Sequence, residues 1–234
     1  MFFKIDTRKN IIRVIMKNMT INLLTLFPSY FNSLLKESII KRAIDSGIVK
    51  INVINIRDFA TNKHHITDDR PFGGGAGMVM KVEPIYKALQ DLSLSKGQDS
   101  SKIILTSAKG ESFTQQTATD YSKLTTLTII CGHYEGVDER VAENLVDEEI
   151  RVGDFVLTGG EPAANVILDA VTRLIPGVLG NEESNKNESH SLPGHFAYPQ
   201  YTRPEEFNNW TVPKVLLSGD HQQINTWREE NSTK

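Results

Sequence analysis

Apolar and polar residues alternate in two rhythms along this chain, and the switches between them mark out its elements. The run TINLLTLF (residues 20–27) is almost continuously apolar, as a strand covered on both faces would be. Pro28 follows where a first helical turn tolerates it. Tyr30, Phe31, Leu34, Leu35, Ile39 and Ala43 then recur at helical spacing up to Gly47, which predicts a helix ending there. VKINVINI (49–56) alternates as a strand, while KIILTS (102–107) and LTIICG (127–132) are short apolar strands. Helical patterns run through Ile85 and Leu89, through SFTQQTATDYSKL (112–124), from about Glu161 to Ile175, and from about Gly219 to Glu230. LSKGQDSS (94–101) has the composition of a linker. Strands separated by helices imply parallel pairing with both faces covered, so the expected class is α/β.

Two stretches break this rhythm. DDRPFGGGAGMVMK (68–81) places four glycines in five positions between Arg70 and Lys81. A nucleoside-triphosphate loop would need Lys-Ser or Lys-Thr after its last glycine, but Gly77 is followed by Met78 and Val79. A dinucleotide fingerprint starting at Gly73 or Gly75 would need its third glycine at Met78 or Met80, so that spacing fails too. The second stretch, residues 177–204, has no sustained period and a polar middle, NEESNKNESHS. A loop of that length either orders around a substrate or is a plain linker.

Composition narrows the class without choosing a chemistry. A chain of 234 residues, 39% hydrophobic, buries a substantial core in one domain with room for a small second piece. No apolar run approaches the roughly 18–20 residues of a membrane span. The first eighteen residues carry five cations and lack a secretory apolar core, so they are expected to be an upstream-start artefact or a disordered lead. The single cysteine, Cys131, cannot form an intrachain disulfide, which fits a reducing cytoplasm, and no Cys/His set has metal-ligand spacing. With a net charge of −3, a nucleic-acid partner would have to meet a local basic patch.

The chemistry concentrates after the strands. TSAKGES (106–112), CGHYEGVDER (131–140) and VGDFVLTGGEPAA (152–164) are turns rich in small residues. In an open parallel sheet, ligands sit beyond the carboxyl ends of strands, where such turns converge. Three together could present backbone groups to a flat polar ligand such as adenosine; singly, each is as well explained as a tight connection.

These stretches, with LTLFP, VTRLIPGVLG, YPQYTRP and VPKVLLSGDH, resemble in order and spacing the bacterial tRNA (guanine-N1)-methyltransferases, the TrmD family of the trefoil-knot (SPOUT) superfamily. The resemblance covers nearly everything from Met19 to about Trp227. It implies a parallel α/β domain with helices on both faces, a deep C-terminal trefoil knot and a small C-terminal helical domain. The chain then divides into an extension at 1–18, a knotted cofactor-binding domain at 19–180, an interdomain loop at 181–203 and a short helical domain at 204–234. The implied activity is methyl transfer from S-adenosylmethionine to N1 of guanine 37 of tRNA, just 3′ of the anticodon, where the mark guards the reading frame. The family acts in the cytoplasm as a homodimer. Its active site lies at the subunit interface, with the cofactor turns from one chain and the long loop and helical domain from its partner. It is also associated with magnesium.

Carried over position by position, the resemblance assigns the cofactor to Ala108 (often proline in the family), Gly132, Val152, Gly153, Asp154, Phe155, Val156, Leu157, Gly159 and Gly160. Guanine N1 bears a proton and is a poor nucleophile, so the reaction needs a base, a cation for the charge gathering on O6, and in-line placement. Arg173 matches the catalytic arginine; on the residues alone it would be an i,i+4 partner of Asp169. Glu188 stands where the family has the aspartate base, on a stem one methylene longer, and neighbouring His190 is the other titratable candidate. Glu135 matches a carboxylate near the target base and would equally suit the start of a helix. Arg70, with Lys63, His64, His65 and Lys81, would face phosphates from the glycine-rich turn, which could also be purely structural.

The relatives continue past the equivalent of Arg228 into a further basic helical segment, whereas this chain stops at INTWREENSTK. That leaves either a lower affinity for the anticodon stem-loop or a surface supplied otherwise. Two other readings compete: a knotted ribose 2′-O-methyltransferase, which would not need an N1 base, and an RNA-binding protein that keeps the cofactor pocket without turnover.

Overall fold

The computed structural model describes residues 18–180, 188–192 and 194–232. All but Asn18 of the N-terminal extension, and residues 181–187 and Pro193 of the expected interdomain loop, lie outside the described residues. One compact unit ends at Gly180, and a second comprises the described residues from Glu188 onward.

The first unit is built on β1 (Met19–Thr25), β2 (Val49–Asn55), β5 (Ser101–Ser112), β6 (Thr126–Cys131) and β7 (Glu148–Arg151). They lie in the order β2-β1-β6-β5-β7, and every pairing is parallel. Because side chains alternate across a strand, the inner strands feed two cores. Ile21, Leu23, Ile104, Leu127 and Ile129 pack with α1 (Ser38–Asp45), α3 (Gln115–Tyr121) and α5 (Glu161–Thr172). Leu24, Ile103, Leu105 and Ile130 pack on the other side with α2 (Val82–Asp91) and α4 (Glu139–Asn144). The strands read as apolar runs because both their faces are covered. Where a polar pair intrudes it is satisfied: Asn52 donates to Asn22 at 2.8 Å, and Asn22 donates to buried Thr128 at 3.2 Å.

The segment expected to form one helix up to Gly47 is interrupted. Two 3-10 turns, Pro28–Phe31 and Leu34–Lys36, precede α1. Glu37 is extended and Ser38 takes φ 51°, which breaks the helical path despite the periodic apolar positions.

β5 also runs further than KIILTS. Thr106 and Glu111 both pair with Ile150 of β7, so residues 107–110 loop out of the ladder. At the base of that loop a Cβ on Gly110 would fall 2.4 Å from the Glu149 carbonyl carbon, so the chain can rejoin the edge there only as glycine. Cys131 closes β6 fully buried, and burial pushes its thiol well above the usual range.

The glycine-rich stretch forms a short hairpin, β3 (Asp68–Asp69) against β4 (Val79–Met80), antiparallel. In the second unit, β8 (Glu206–Phe207) and β9 (Trp210–Thr211) form another hairpin, followed by α6 (Lys214–Leu217) and α7 (His221–Asn231). Asp220 caps α7 by accepting from the N–H groups of Gln222 and Gln223. Trp227 packs beside Tyr201, with ring centroids 6.3 Å apart, and the Arg228 guanidinium lies over Tyr198. No helix among the described residues is long and apolar enough to cross a membrane.

Candidate active site

A cavity of about 430 Å³ opens where β5 leaves the ladder after Thr106 and at the carboxyl ends of β6 and β7. Its walls are residues 105–109, where β5 enters its looped-out segment, the turn 132–137, and residues 151–153 and 155–160. These are the three turns singled out in the sequence, brought to one place because their strands are neighbours in a parallel sheet.

Close backbone approach holds the walls together. Gly160 donates its N–H to the Gly132 carbonyl at 2.7 Å. A Cβ on Gly160 would meet Thr106 Oγ1 at 1.9 Å, Gly132 N at 2.8 Å and Cys131 Cα at 2.9 Å. Thr106 completes the joint, donating to the Ile130 carbonyl and accepting from the Gly132 N–H at 3.2 Å each. Gly153 is bare for a similar reason, since the Phe155 ring folds back to 2.2 Å from where its Cβ would be. Glycine at these points serves contact, and Tyr134 at φ 61° with Gly136 at φ 129° gives the middle turn its sharp bend.

Ala108, Gly132, Val152, Gly153, Phe155, Val156, Leu157, Gly159 and Gly160 all line the cavity, as does Glu135. Asp154 does not line it; its exposed carboxylate accepts from Arg151 Nε at 2.8 Å. The walls also carry charges that the sequence did not flag. Lys109 Nζ lies 2.6 Å from Glu139 and 3.5 Å from Glu149, and the Glu139 contact raises its pKa. Nothing in the local pattern marks them, because they come from three separate elements, β5, the start of α4 and β7. Among the described residues no three His, Cys, Asp or Glu side chains converge to hold a metal ion.

The glycine hairpin is joined to this wall. Glu135 N–H donates to the Met78 carbonyl at 3.0 Å, Met80 N–H to Gly136 at 2.9 Å, and Asp138 N–H to Met80 at 2.9 Å. Gly77, at φ 81°, leaves room for the Glu135 side chain, whose Cγ lies 2.4 Å from where a Cβ would be. Gly73, at φ 85°, faces open space instead. Gly77→Ala is therefore expected to cost about 1–2 kcal/mol and to displace Glu135, lowering activity. Gly73→Ala should carry only the cost of its positive φ and leave activity intact. Thermal melting beside initial rates checks the pair. Arg70 is exposed, its backbone N–H held by the Asp69 carboxylate, and Lys81 pairs with Asp69 at 3.8 Å.

Arg173 is half-buried at the C-cap of α5, where the helix end favours a cation, and it is not part of the cavity lining. Glu188 belongs to the second unit. It is half-buried, and its carbonyl accepts the Ser191 N–H at 3.1 Å at the start of a turn. His190 is exposed at φ 67° with its ring 5.1 Å from that of Phe196.

Residues 19–234 match the family model described as tRNA (Guanine-1)-methyltransferase TrmD. A protein of Dehalococcoides mccartyi (strain CBDB1), named tRNA (guanine-N(1)-)-methyltransferase, is 54% identical over 216 residues, covering 92% of this chain and 86% of its own length. Proteins of the same name are similar from Carboxydothermus hydrogenoformans (53% over 214 residues; 92% of this chain, 83% of the relative) and Staphylococcus carnosus (51% over 212; 91% and 85%).

Proposed function

Since this chain belongs to the tRNA (guanine-1)-methyltransferase TrmD family, we infer that it methylates N1 of guanine 37 in tRNA, using S-adenosylmethionine as the donor. The observation that carries this reading is the convergence of three small-residue turns on one cavity at the strand ends. Its volume is within the range of cofactor pockets. Leu105, Val137, Val152 and Leu157 offer apolar walls to an adenine ring, with backbone polar groups of the turns beside them. Those residues fit the group and would hold it. When bound, S-adenosylmethionine supplies a methyl activated on a sulfonium, so catalysis falls to the handling of guanine.

In this reading Glu188 removes the N1 proton and the Arg173 guanidinium donates to O6, stabilising the negative charge that grows there. Glu135, held against the hairpin by Gly77, accepts from the guanine N–H edge. Arg70 and the glycine hairpin face the phosphates of the anticodon stem-loop.

The reading extends to a trefoil knot. After β7 at the sheet edge, residues 152–160 return to the ends of β5 and β6, Gly160 wedges against Thr106 and Cys131, and α5 continues into the core. That path supports a threaded chain. The reading also extends to a homodimer that shares each active site, with the turns and Arg173 from one chain and Glu188 from its partner. Exposed Phe155 and Val156 at the cavity rim, 58% and 85% exposed, support an apolar contact there.

Methyl transfer from labelled S-adenosylmethionine to a tRNA transcript tests the function. Guanosine at position 37 should accept label as 1-methylguanosine, and adenosine there should not. Label in a ribose would favour the 2′-O-methylating alternative, and cofactor binding without product would favour an inactive RNA binder.

A further inference from the structure

Glu161 is unusual among the buried side chains: a carboxylate only 3% exposed, in the first turn of α5. Its Oε1 accepts a 2.7 Å hydrogen bond from Thr25 Oγ1 at the end of β1. Its Oε2 faces Nδ1 of His133 at 4.0 Å. That nitrogen is buried and has no hydrogen-bond partner among the described residues, a state that costs free energy unless a nearby group answers it. His133 lines the cavity; Glu161 and Thr25 do not.

The surroundings aim the imidazole at this carboxylate. His133 and Gly159 form an antiparallel bridge across the two walls. A Cβ on Gly159 would lie 2.3 Å from His133 Nδ1 and 2.6 Å from Glu161 Oε2, so glycine there keeps the line between them open. Phe27 and Tyr134 pack edge-on to the ring, with centroids 5.0 and 5.1 Å away, and restrict its rotation. Glu161 also acts on Cys131, whose thiol is raised by burial first and by this carboxylate second.

We propose that His133 is a positioning residue for the cofactor cavity: its Nδ1–H, directed at Glu161, ties the turn 132–137 to the turn 152–160. Thr25 anchors the carboxylate from behind. The separation of the two walls is thus set by Glu161 and Thr25, outside the cavity, acting through His133 at its wall. The consequence for ligand affinity rests on the reading that the cavity holds S-adenosylmethionine; the His133–Glu161 contact does not.

Two measurements test it, one of them independent of any ligand. Proton–nitrogen correlation NMR of the unliganded protein should show His133 protonated at Nδ1 in the native chain and in Glu161→Gln, which keeps an acceptor. In Glu161→Leu the proton should move to Nε2. A native His133 protonated at Nε2 alone would overturn the proposal without any variant having to fold. Calorimetry with S-adenosylhomocysteine should show affinity about tenfold weaker in His133→Leu and in Glu161→Leu, and no weaker again in the double variant. His133→Asn, which restores an N–H at the same place, should recover most of it. Additive losses, about a hundredfold in the double variant, would overturn the coupling. If the native chain binds no S-adenosylhomocysteine, the cofactor reading fails, and the tautomer still decides the contact.

Discussion

Gly160→Ala is expected to weaken cofactor binding sharply and destabilise the first unit. The added methyl would sit 1.9 Å from Thr106 Oγ1 and within 2.9 Å of Gly132 N and Cys131 Cα. Two of those three atoms are backbone at the end of β6, so rotating a side chain cannot relieve the clash. Overpacking of this kind costs about 1–3 kcal/mol, and each kcal/mol lowers Tm by roughly 2–4 °C in a chain of this size. The same displacement parts the turn 132–137 from the turn 152–160. Affinity for S-adenosylhomocysteine should therefore fall more than about a hundredfold, a loss of about 2.7 kcal/mol. Gly180→Ala is the control, because nothing lies within 4 Å of a Cβ there. Differential scanning calorimetry and binding isotherms on both variants check the contrast, and a Gly160→Ala protein that binds normally would mean the walls do not meet at this joint.

The second large effect concerns the two groups assigned to the chemistry. Glu188→Ala and Arg173→Ala should each lower kcat by about a hundred- to ten-thousandfold, the range for losing a positioned acid–base or charge-stabilising group. Both should leave affinity for S-adenosylhomocysteine unchanged, because neither residue lines the cavity. Glu188→Asp should retain most of the rate. If each active site is shared between two chains, the two inactive variants rescue one another when mixed. Half of randomly exchanged dimers then pair one variant with the other, each with one intact site, and recover about a quarter of native activity. Initial rates after subunit exchange measure this. Mixtures as inactive as their components would place Arg173 and Glu188 of one chain in the same site, or show that no such dimer forms.

Much of the first unit was legible because its strands obey a simple rule. Buried on both faces, they appear as nearly continuous apolar runs such as NLLTLF and LTIIC, and the amphipathic helices between them keep helical spacing. The rule failed at residues 28–47, where apolar spacing continues through a backbone broken at Glu37 and Ser38; periodicity records which side chains are buried, and the backbone angles escape it. The cavity was legible through its glycines and small residues. Its charged rim was not, because Lys109 meets Glu149 only through the register of β5 and β7 and the looping out of residues 107–110, and meets Glu139 only where α4 starts beside that loop. Gly77 shows both sides of this. Its place in a glycine cluster suggested a phosphate-facing loop, while its close neighbour in the fold is the side chain of Glu135, distant in sequence. Asp154, inside a stretch assigned to the cofactor, turns outward to Arg151, since only some side chains of an irregular loop can face its cavity.

The measurement closest to the central claim is a crystal structure of the complex with S-adenosylhomocysteine. The account predicts adenosine enclosed between residues 105–109, 132–137 and 152–160, with Gly132 and Leu157 in contact with it. Density for the nucleoside anywhere else on the chain, with this cavity empty, would contradict it.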